Sequence, residues 1–284
     1  MSRPPTFTPP PGTRAYQLAT ARGEFAVHDL APQGAAPKGT VVLLPGFTGS
    51  KEDFVALLAP IATAGYRAVA VDGRGQYESD GPLDDPSPYA QGELARDVLA
   101  QVEALGGPVH LLGHSLGGQI ARAAVLLDPA PFASLTLMAS GPAQISPSQQ
   151  ERVKLLQDGL AVLDMAQVWE AMQSLEPPEE ADPGDGDGAL RARWLRHSPA
   201  QLAATGQQLR AEPDRVDELA ALRLPVHVLS GDHDDTWPVP LLDAMAERLS
   251  ARRTIVEGAD HSPNTDRPAG TASALITFWD EQAA

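Results

Sequence analysis

Ser115 lies in the segment Gly113-His114-Ser115-Leu116-Gly117-Gly118, which has the spacing G-x-S-x-G. An apolar run at residues 108–112 precedes this segment, and apolar residues at helical spacing follow it. A sharp turn between a strand and a helix projects such a serine from the edge of a sheet, and the flanking glycines lack the Cβ atoms that would collide there. We therefore expect Ser115 to be a nucleophile. The competing interpretation is a glycine-rich turn that carries an ordinary serine.

A serine hydroxyl is a weak nucleophile at neutral pH, so it needs a general base within hydrogen-bond reach and an acid that orients this base. The chain offers both after its late apolar runs. The segment after residue 230 contains Asp232, Asp234 and Asp235, and a later segment ends in His261. All three carboxylates are candidates for the acid at this point. A metal site in this cluster is disfavoured, because adjacent residues rarely converge on one ion.

The elements that must position these residues alternate between strand and helix. A hairpin is predicted over residues 15–30, and later strands are predicted at residues 40–45, 67–72, 108–112, 133–139, 225–230 and 254–257. Helical spacing of apolar residues between most of these strands indicates a parallel sheet with right-handed crossovers. After Gly141-Pro142 only helical spacing continues. We therefore predict an α/β core at 15–141 and 215–284, an inserted helical cap at 142–214 and a flexible, proline-rich arm at 1–14.

These features together resemble the α/β-hydrolase superfamily from Ala15 to Trp279, the cap excepted. The resemblance implies a mostly parallel central sheet with helices on both faces, and a catalytic order of serine, acid and histidine along the chain. The family's G-x-x-D-x-x-x-P spacing is matched by Gly231, Asp234 and Pro238. The resemblance thus favours Asp234 over its neighbours as the acid and His261 as the base, although Asp260 stands where the family commonly has glycine.

The resemblance also implies an oxyanion hole made of two backbone N–H groups. These map to Leu116, directly after the serine, and to Phe47 in the loop Pro45-Gly46-Phe47-Thr48-Gly49-Ser50. This loop is similar to the family's H-G-x-x-G-S form, with Pro45 in place of the histidine. A second loop, with Asp72 and Arg74, is similar to the family's D-x-R-G-x-G-x-S segment, and we expect these two side chains to order the loop.

Composition and charge exclude several classes of function. The 284 residues include 21 Lys and Arg against 37 Asp and Glu, a formal net charge of −16, so nucleic acid and anionic membranes are poor partners. The chain has no cysteine, no continuous apolar run long enough to span a membrane and no start typical of a signal peptide, so we expect a cytoplasmic protein. No phosphate-binding glycine loop is present, and we expect no cofactor and no metal.

The leading functional hypothesis is hydrolysis of a carboxylic ester of a small or medium, largely apolar substrate through an acyl-enzyme on Ser115. Carbon–carbon bond hydrolysis, acyl transfer and perhydrolase or haloperoxidase-like activity use a similar triad and stay open. A binder of a small ligand without catalysis is the alternative from another class. Two further questions concern the cap: whether the acidic segment at 176–188 gates the pocket, and whether apolar cap residues line it, namely Val153, Leu156, Trp169, Met172 and Trp194.

Overall fold

The central feature of the fold is one mostly parallel sheet. The computed structural model describes residues 2–34, 36–175 and 186–282. Within these residues the strands are β1 (Arg14–Thr20), β2 (Gly23–Leu30), β3 (Thr40–Leu44), β4 (Arg67–Val71), β5 (Val109–His114), β6 (Phe132–Met138), β7 (Val226–Gly231) and β8 (Arg252–Val256). They are arranged in the order β1-β2-β4-β3-β5-β6-β7-β8. The β1/β2 and β2/β4 pairs are antiparallel, and the other neighbours are parallel.

Helices cover both faces of the sheet. They are α1 (Val55–Thr63), α2 (Gln91–Leu105), α3 (Leu116–Leu127), α4 (Pro147–Leu160), α5 (Met165–Leu175), α6 (Gly186–Leu195), α7 (Pro199–Ala211), α8 (Val216–Ala220), α9 (Val239–Leu249), α10 (Pro263–Asp266) and α11 (Pro268–Gln282). The crossovers between parallel strands place helices on the faces, and a strand between two such layers is apolar on both sides. The predicted fold class, with its hairpin and alternating strands and helices, is confirmed.

The central strand β3 shows how the sequence builds two cores. Val42 and Leu44 point into one buried cluster, which α2, α3 and α9 cover. Val41 and Leu43 point into the other cluster, which α1 and α11 cover. Because successive side chains of a strand alternate between faces, an uninterrupted apolar run is what a strand covered on both sides requires.

Helices α4 to α7 follow β6 and precede β7, and no strand lies between them among the described residues. This agrees with the helical segment predicted after Gly141-Pro142, while its division from the core as a separate cap domain stays a prediction. The segment has a small core of its own, formed by Val168, Trp169, Leu190, Trp194 and Leu202. The acidic segment predicted at 176–188 lies outside the described residues as far as 185, and α6 begins at Gly186.

The N-terminal segment, predicted as a flexible arm, has defined contacts in the structure. Phe7 packs against the core of the helical segment. The carbonyl oxygen of Ser2 accepts a hydrogen bond of 2.7 Å from Arg193 of α6. The segment therefore reaches from the edge strand β1 to the helices that follow β6.

Candidate active site

Ser115 occupies a strained turn between β5 and α3. Its backbone has φ +53° and ψ −118°, a conformation that L residues rarely adopt. The backbone around Gly113 and Gly117 leaves no room for a side chain at either position. A Cβ on Gly113 would lie 2.2 Å from the carbonyl oxygen of Gly117, and a Cβ on Gly117 would lie 2.5 Å from the carbonyl oxygens of Leu44 and Pro45. The G-x-S-x-G sequence is thus required by the geometry of this turn.

His261 meets Ser115 at this turn. His261 lies in the loop between β8 and α10, 146 positions from the serine. Its Nε2 lies 3.0 Å from Oγ of Ser115. This distance is suited to transfer of the serine proton to the imidazole. The pair is possible because the carboxyl ends of the parallel strands β5 and β8 lie at the same edge of the sheet.

Asp234 contacts the other nitrogen of this imidazole. Its two carboxylate oxygens lie 3.0 and 2.9 Å from Nδ1 of His261. The side chain of Asp234 is fully buried, and the backbone N–H groups of Thr236 and Trp237 donate to its Oδ1 at 2.7 and 3.1 Å. A carboxylate accepts hydrogen bonds only, so the Nδ1 proton points at Asp234, and Nε2 is left to accept the proton of Ser115.

The neighbouring aspartates have other contacts. Asp232 is exposed and accepts hydrogen bonds from the backbone N–H of Gly258 and from the ring of His233. Asp235 is also exposed, and its carbonyl oxygen accepts from the hydroxyl of Ser146. Among the three candidates of the sequence analysis, the structure brings Asp234 to the histidine.

The two residues expected to form the oxyanion hole both lie near Ser115. Leu116 is the first residue of α3, so its N–H has no partner within the helix. Phe47 lines the same cavity as Ser115. The preceding residue, Gly46, lies against the serine, since a Cβ placed on it would be 3.4 Å from the Cβ of Ser115. An oxyanion formed beside Ser115 would lie at the positive end of α3.

Gln76 holds the loop that carries Phe47, and the sequence analysis missed it. Its amide nitrogen donates to the carbonyl oxygen of Gly46 at 2.8 Å, and its amide oxygen accepts from the backbone N–H of Gly73 at 3.0 Å. The side chain is nearly inaccessible to solvent. Gln76 lies within the segment that contains Asp72 and Arg74, but a single glutamine carries no local signal of such a contact.

Asp72 and Arg74 order their surroundings as expected. Asp72 is buried and accepts from the backbone N–H and the ammonium group of Lys51, at 2.6 and 2.9 Å. Arg74 forms two hydrogen bonds of 2.7 Å with the carboxylate of Asp97. Neither Asp72 nor Arg74 lines the cavity beside Ser115.

His114, the neighbour of Ser115, contacts the backbone of His261. Its Nε2 lies 2.9 Å from the carbonyl oxygen of His261. Burial, together with the nearby His261 ring, lowers the pKa of His114 to about 4. The ring is therefore neutral near pH 7 and donates from Nε2 to this carbonyl. Burial likewise lowers the pKa of His110 and His197 to about 4 and that of His227 to about 3, so these side chains are uncharged parts of the interior.

A cavity of about 440 Å³ opens beside Ser115. Its apolar wall is formed by Phe47, Ile145, Val153 and Leu209, and its polar wall includes Gln149, Thr236, Asp260, Thr265 and Asp266. This volume lies within the range of about 300–1,000 Å³ that is typical of sites for small molecules.

The residues suggested as pocket lining are only partly placed there. Val153 lines the cavity. Trp169 and Trp194 instead belong to the buried core of the helical segment, and Leu156 and Met172 pack against that core. Trp237 is fully buried, with its ring centroid 6.1 Å from that of His261. Trp237 therefore packs beside His261.

Within residues 2–34, 36–175 and 186–282, no group of three or more His, Asp or Glu side chains is arranged to hold a metal ion. No helix in these residues is both long enough and apolar enough to cross a lipid bilayer.

Comparison with known sequences gives consistent matches. A family model described as "Alpha/beta hydrolase family" matches residues 41–274. A pimeloyl-[acyl-carrier protein] methyl ester esterase of Aeromonas hydrophila is 33% identical over 222 residues, which cover 74% of this chain and 84% of that protein. A 2-hydroxy-6-oxononadienedioate/2-hydroxy-6-oxononatrienedioate hydrolase of Paraburkholderia xenovorans is 37% identical over 269 residues, or 88% of this chain and 89% of that one.

Solved structures show a similar fold. An esterase from Exiguobacterium antarcticum superposes with a TM-score of 0.76 at 20% identity, covering 94% of this chain and 100% of that one. A hydrolase from Pseudomonas aeruginosa superposes with a TM-score of 0.74 at 24% identity, covering 94% of this chain and 98% of that one. At such identities the likeness concerns the fold alone.

Proposed function

Since the chain belongs to the alpha/beta hydrolase family, we propose that it is a serine hydrolase that cleaves carboxylic esters through an acyl-enzyme on Ser115. The observation that carries this proposal is the chain of contacts from Ser115 through His261 to the buried Asp234, with the serine lining a cavity. The esterase of Aeromonas hydrophila among its relatives supports ester hydrolysis as the reaction.

The proposed mechanism has two halves. In the first, Nε2 of His261 takes the proton of Ser115 as Oγ attacks the ester carbonyl, and the N–H groups of Phe47 and Leu116 stabilise the negative charge on the carbonyl oxygen. His261 then gives this proton to the departing alcohol. In the second half His261 removes a proton from water, the hydroxide attacks the acyl group, and the proton returns to Oγ as the acid leaves. Asp234 stabilises the imidazolium in both halves.

The substrate proposed for this site is an ester of small or medium size with a largely apolar acyl group. The apolar wall of Phe47, Ile145, Val153 and Leu209 lies beside the serine and supports this choice. The proposed mechanism uses only groups of the protein and water, so the reaction needs no metal and no organic cofactor. Ester substrates of this class are thus the expected partners of the protein.

Carbon–carbon bond hydrolysis is the second candidate. The relative from Paraburkholderia xenovorans is named for a substrate with hydroxy, oxo and dioate groups and no ester, so its hydrolysis has to break a carbon–carbon bond. The same serine and histidine serve both reactions, and the choice depends on which carbonyl compound the cavity accepts.

The proposal is tested with p-nitrophenyl esters of two to twelve acyl carbons, using the wild type, Ser115→Ala and the surface control Ser148→Ala. We expect the wild type and the control to hydrolyse at least the shorter esters and Ser115→Ala to lose about 10⁴-fold or more in kcat. If no ester is cleaved but a vinylogous 1,5-diketone acid is, the carbon–carbon candidate replaces the ester proposal. If neither is turned over although a ligand binds, the protein is a binder.

A further inference from the structure

The N-terminal segment reaches the cavity that contains the nucleophile. Ser2 and Arg3 line this cavity together with Ser115 and His261. Nothing in the sequence pattern indicates this position, because the segment enters the sheet through the edge strand β1. Four strand positions separate β1 from β5, the strand that leads to Ser115, so the segment crosses about 19 Å of sheet to arrive there.

Arg193 of α6 anchors the start of this segment. Its guanidinium is fully buried and forms an ion pair of 2.6 Å with the equally buried Asp53. The same guanidinium donates to the carbonyl oxygen of Ser2 at 2.7 Å. A buried charged donor that loses an acceptor is destabilised, so this contact favours the docked position of the segment.

Phe7 provides a second anchor. Its ring packs against the core of the helical segment that includes Trp194, and the guanidinium carbon of Arg193 lies 5.7 Å from the ring centroid. Pro4 and Pro5 lie between the two anchors. Because proline restricts the backbone before folding, ordering this stretch costs less conformational entropy than ordering a flexible one.

We propose that the segment of residues 2–7, through Ser2 and Arg3, forms a wall of the substrate cavity and limits the length of the substrate chain that reaches Ser115. This inference rests on the proposed function only where substrates are concerned. The two anchors hold Ser2 and Arg3 at the cavity. These two residues are polar, whereas the wall formed by Ile145, Val153 and Leu209 is apolar. An acyl chain that outgrows the cavity then meets a fixed backbone and not solvent.

A first experiment measures access to the cavity without any turnover. The chain has no cysteine, so Gln149→Cys places a single thiol on the cavity wall, and Ser273→Cys on the exposed face of α11 serves as the matched control. Each is made in the full chain and in a chain that lacks residues 2–8. We expect the deletion to speed reaction of the Gln149→Cys thiol with a bulky fluorescent maleimide at least tenfold, to change its reaction with methyl methanethiosulfonate less than twofold, and to leave the control unchanged.

A point variant covers the case in which the deletion impairs folding. Phe7→Ser removes one anchor while the chain keeps its length, and Phe7→Leu keeps most of the packing. The proposal predicts faster bulky-maleimide labelling of the Gln149→Cys thiol with Phe7→Ser and little change with Phe7→Leu. Equal labelling rates in the full and altered chains, each with a native circular dichroism spectrum, would contradict the proposal that this segment forms a wall of the cavity.

A second experiment connects the wall to substrate choice. For p-nitrophenyl esters, we expect the deletion and Phe7→Ser to raise the ratio of kcat/KM for twelve-carbon over four-carbon esters at least fivefold. An unchanged ratio in an active enzyme contradicts the inference and leaves the proposed function intact. If the wild type cleaves no ester, the proposed function fails, while the labelling rates still decide whether residues 2–7 close the cavity.

Discussion

Nε2 of His114 lies 2.9 Å from the carbonyl oxygen of His261, so the residue before Ser115 holds the backbone of His261. The relationship links the turn after β5 with the loop after β8. Because burial lowers the pKa of His114 to about 4, the ring is neutral and this contact is an ordinary hydrogen bond at working pH. The position of His261 relative to Ser115 therefore depends on a side chain that does not touch the serine.

Replacing His114 tests this support. His114→Leu removes the buried donor to the His261 carbonyl. We expect kcat to fall about tenfold while KM changes less than twofold. The reason is that a base displaced by a fraction of an ångström stabilises the transition state less, whereas substrate binding changes little. His114→Gln keeps a donor and should recover part of the loss. Steady-state kinetics on one p-nitrophenyl ester measures both. Equal kcat in all three proteins would show that His261 needs no such support.

Replacing the acid separates the three carboxylates. Asp234→Asn removes the charge that stabilises the imidazolium and favours the wrong tautomer of His261, so we expect kcat to fall by about 10⁴-fold. Asp232→Asn and Asp235→Asn are the matched controls, and each should stay within about threefold of the wild type. A large loss in either control, with Asp234→Asn still active, would place the acid elsewhere.

Removing the Gln76 amide tests the support of the oxyanion loop. Gln76→Ala removes the hydrogen bond to the carbonyl of Gly46. We expect kcat to fall about 10-fold to 100-fold with KM nearly unchanged, because the Phe47 N–H stabilises the transition state more than it stabilises the bound ester. Gln76→Glu keeps an acceptor for Gly73 but loses the donor to Gly46, so it should be no better than Gln76→Ala. The exposed Gln207→Ala is the control. A rise in KM at constant kcat would assign Gln76 to substrate binding instead.

The buried His227 predicts a pH dependence of stability. Burial, and then the charges of Arg252 and Arg253, lower the pKa of His227 from its ordinary 6.5 to about 3. As pH falls below about 6.5 the unfolded chain takes up a proton at this residue while the folded protein does not. The contribution of neutral His227 to the free energy of unfolding is thus complete above pH 6.5 and is lost as pH falls toward 3. Between pH 7.5 and 5 this lowers the free energy of unfolding by about 2 kcal/mol.

Urea unfolding of the wild type and His227→Gln at these two pH values measures this difference. Glutamine is uncharged at both, and it can still hydrogen-bond the hydroxyl of Thr254, which lies 2.9 Å from Nε2. We expect the free energy of unfolding of the wild type to drop about 2 kcal/mol more than that of the variant. If the free energy of unfolding falls by the same amount in both proteins, the folded state does not lower the pKa of His227.

The sequence predicts the fold because its signals are local and repeated. Runs such as Val41 to Leu44 are apolar throughout and are followed by helical spacing, so strand, helix and parallel pairing follow from the pattern. Ser115 is marked by glycines whose need is physical, since Gly117 packs against the backbone of Leu44 and Pro45. Asp234 and His261 follow from family spacing, and the structure brings Asp234 to His261 and His261 to Ser115.

Other features escape the sequence because their partners are distant and their residue types common. Gln76 acts through a contact with Gly46, 30 positions earlier. Ser2 meets Arg193 across 191 positions, and the proline-rich composition around Ser2 is equally typical of a free arm. The contact of Ser2 depends on how α6 packs over the core, and no periodic pattern encodes that arrangement.

The central claim is that Ser115 forms a covalent intermediate, and trapping it is the most direct test. The protein is incubated with a p-nitrophenyl alkylphosphonate, and the adduct is located by mass spectrometry of its peptides. We predict one adduct per chain, on Ser115, absent from Ser115→Ala and formed at least 100-fold more slowly by His261→Gln. A protein that hydrolyses esters and yet carries no adduct on Ser115, or carries it on another residue, would contradict the account.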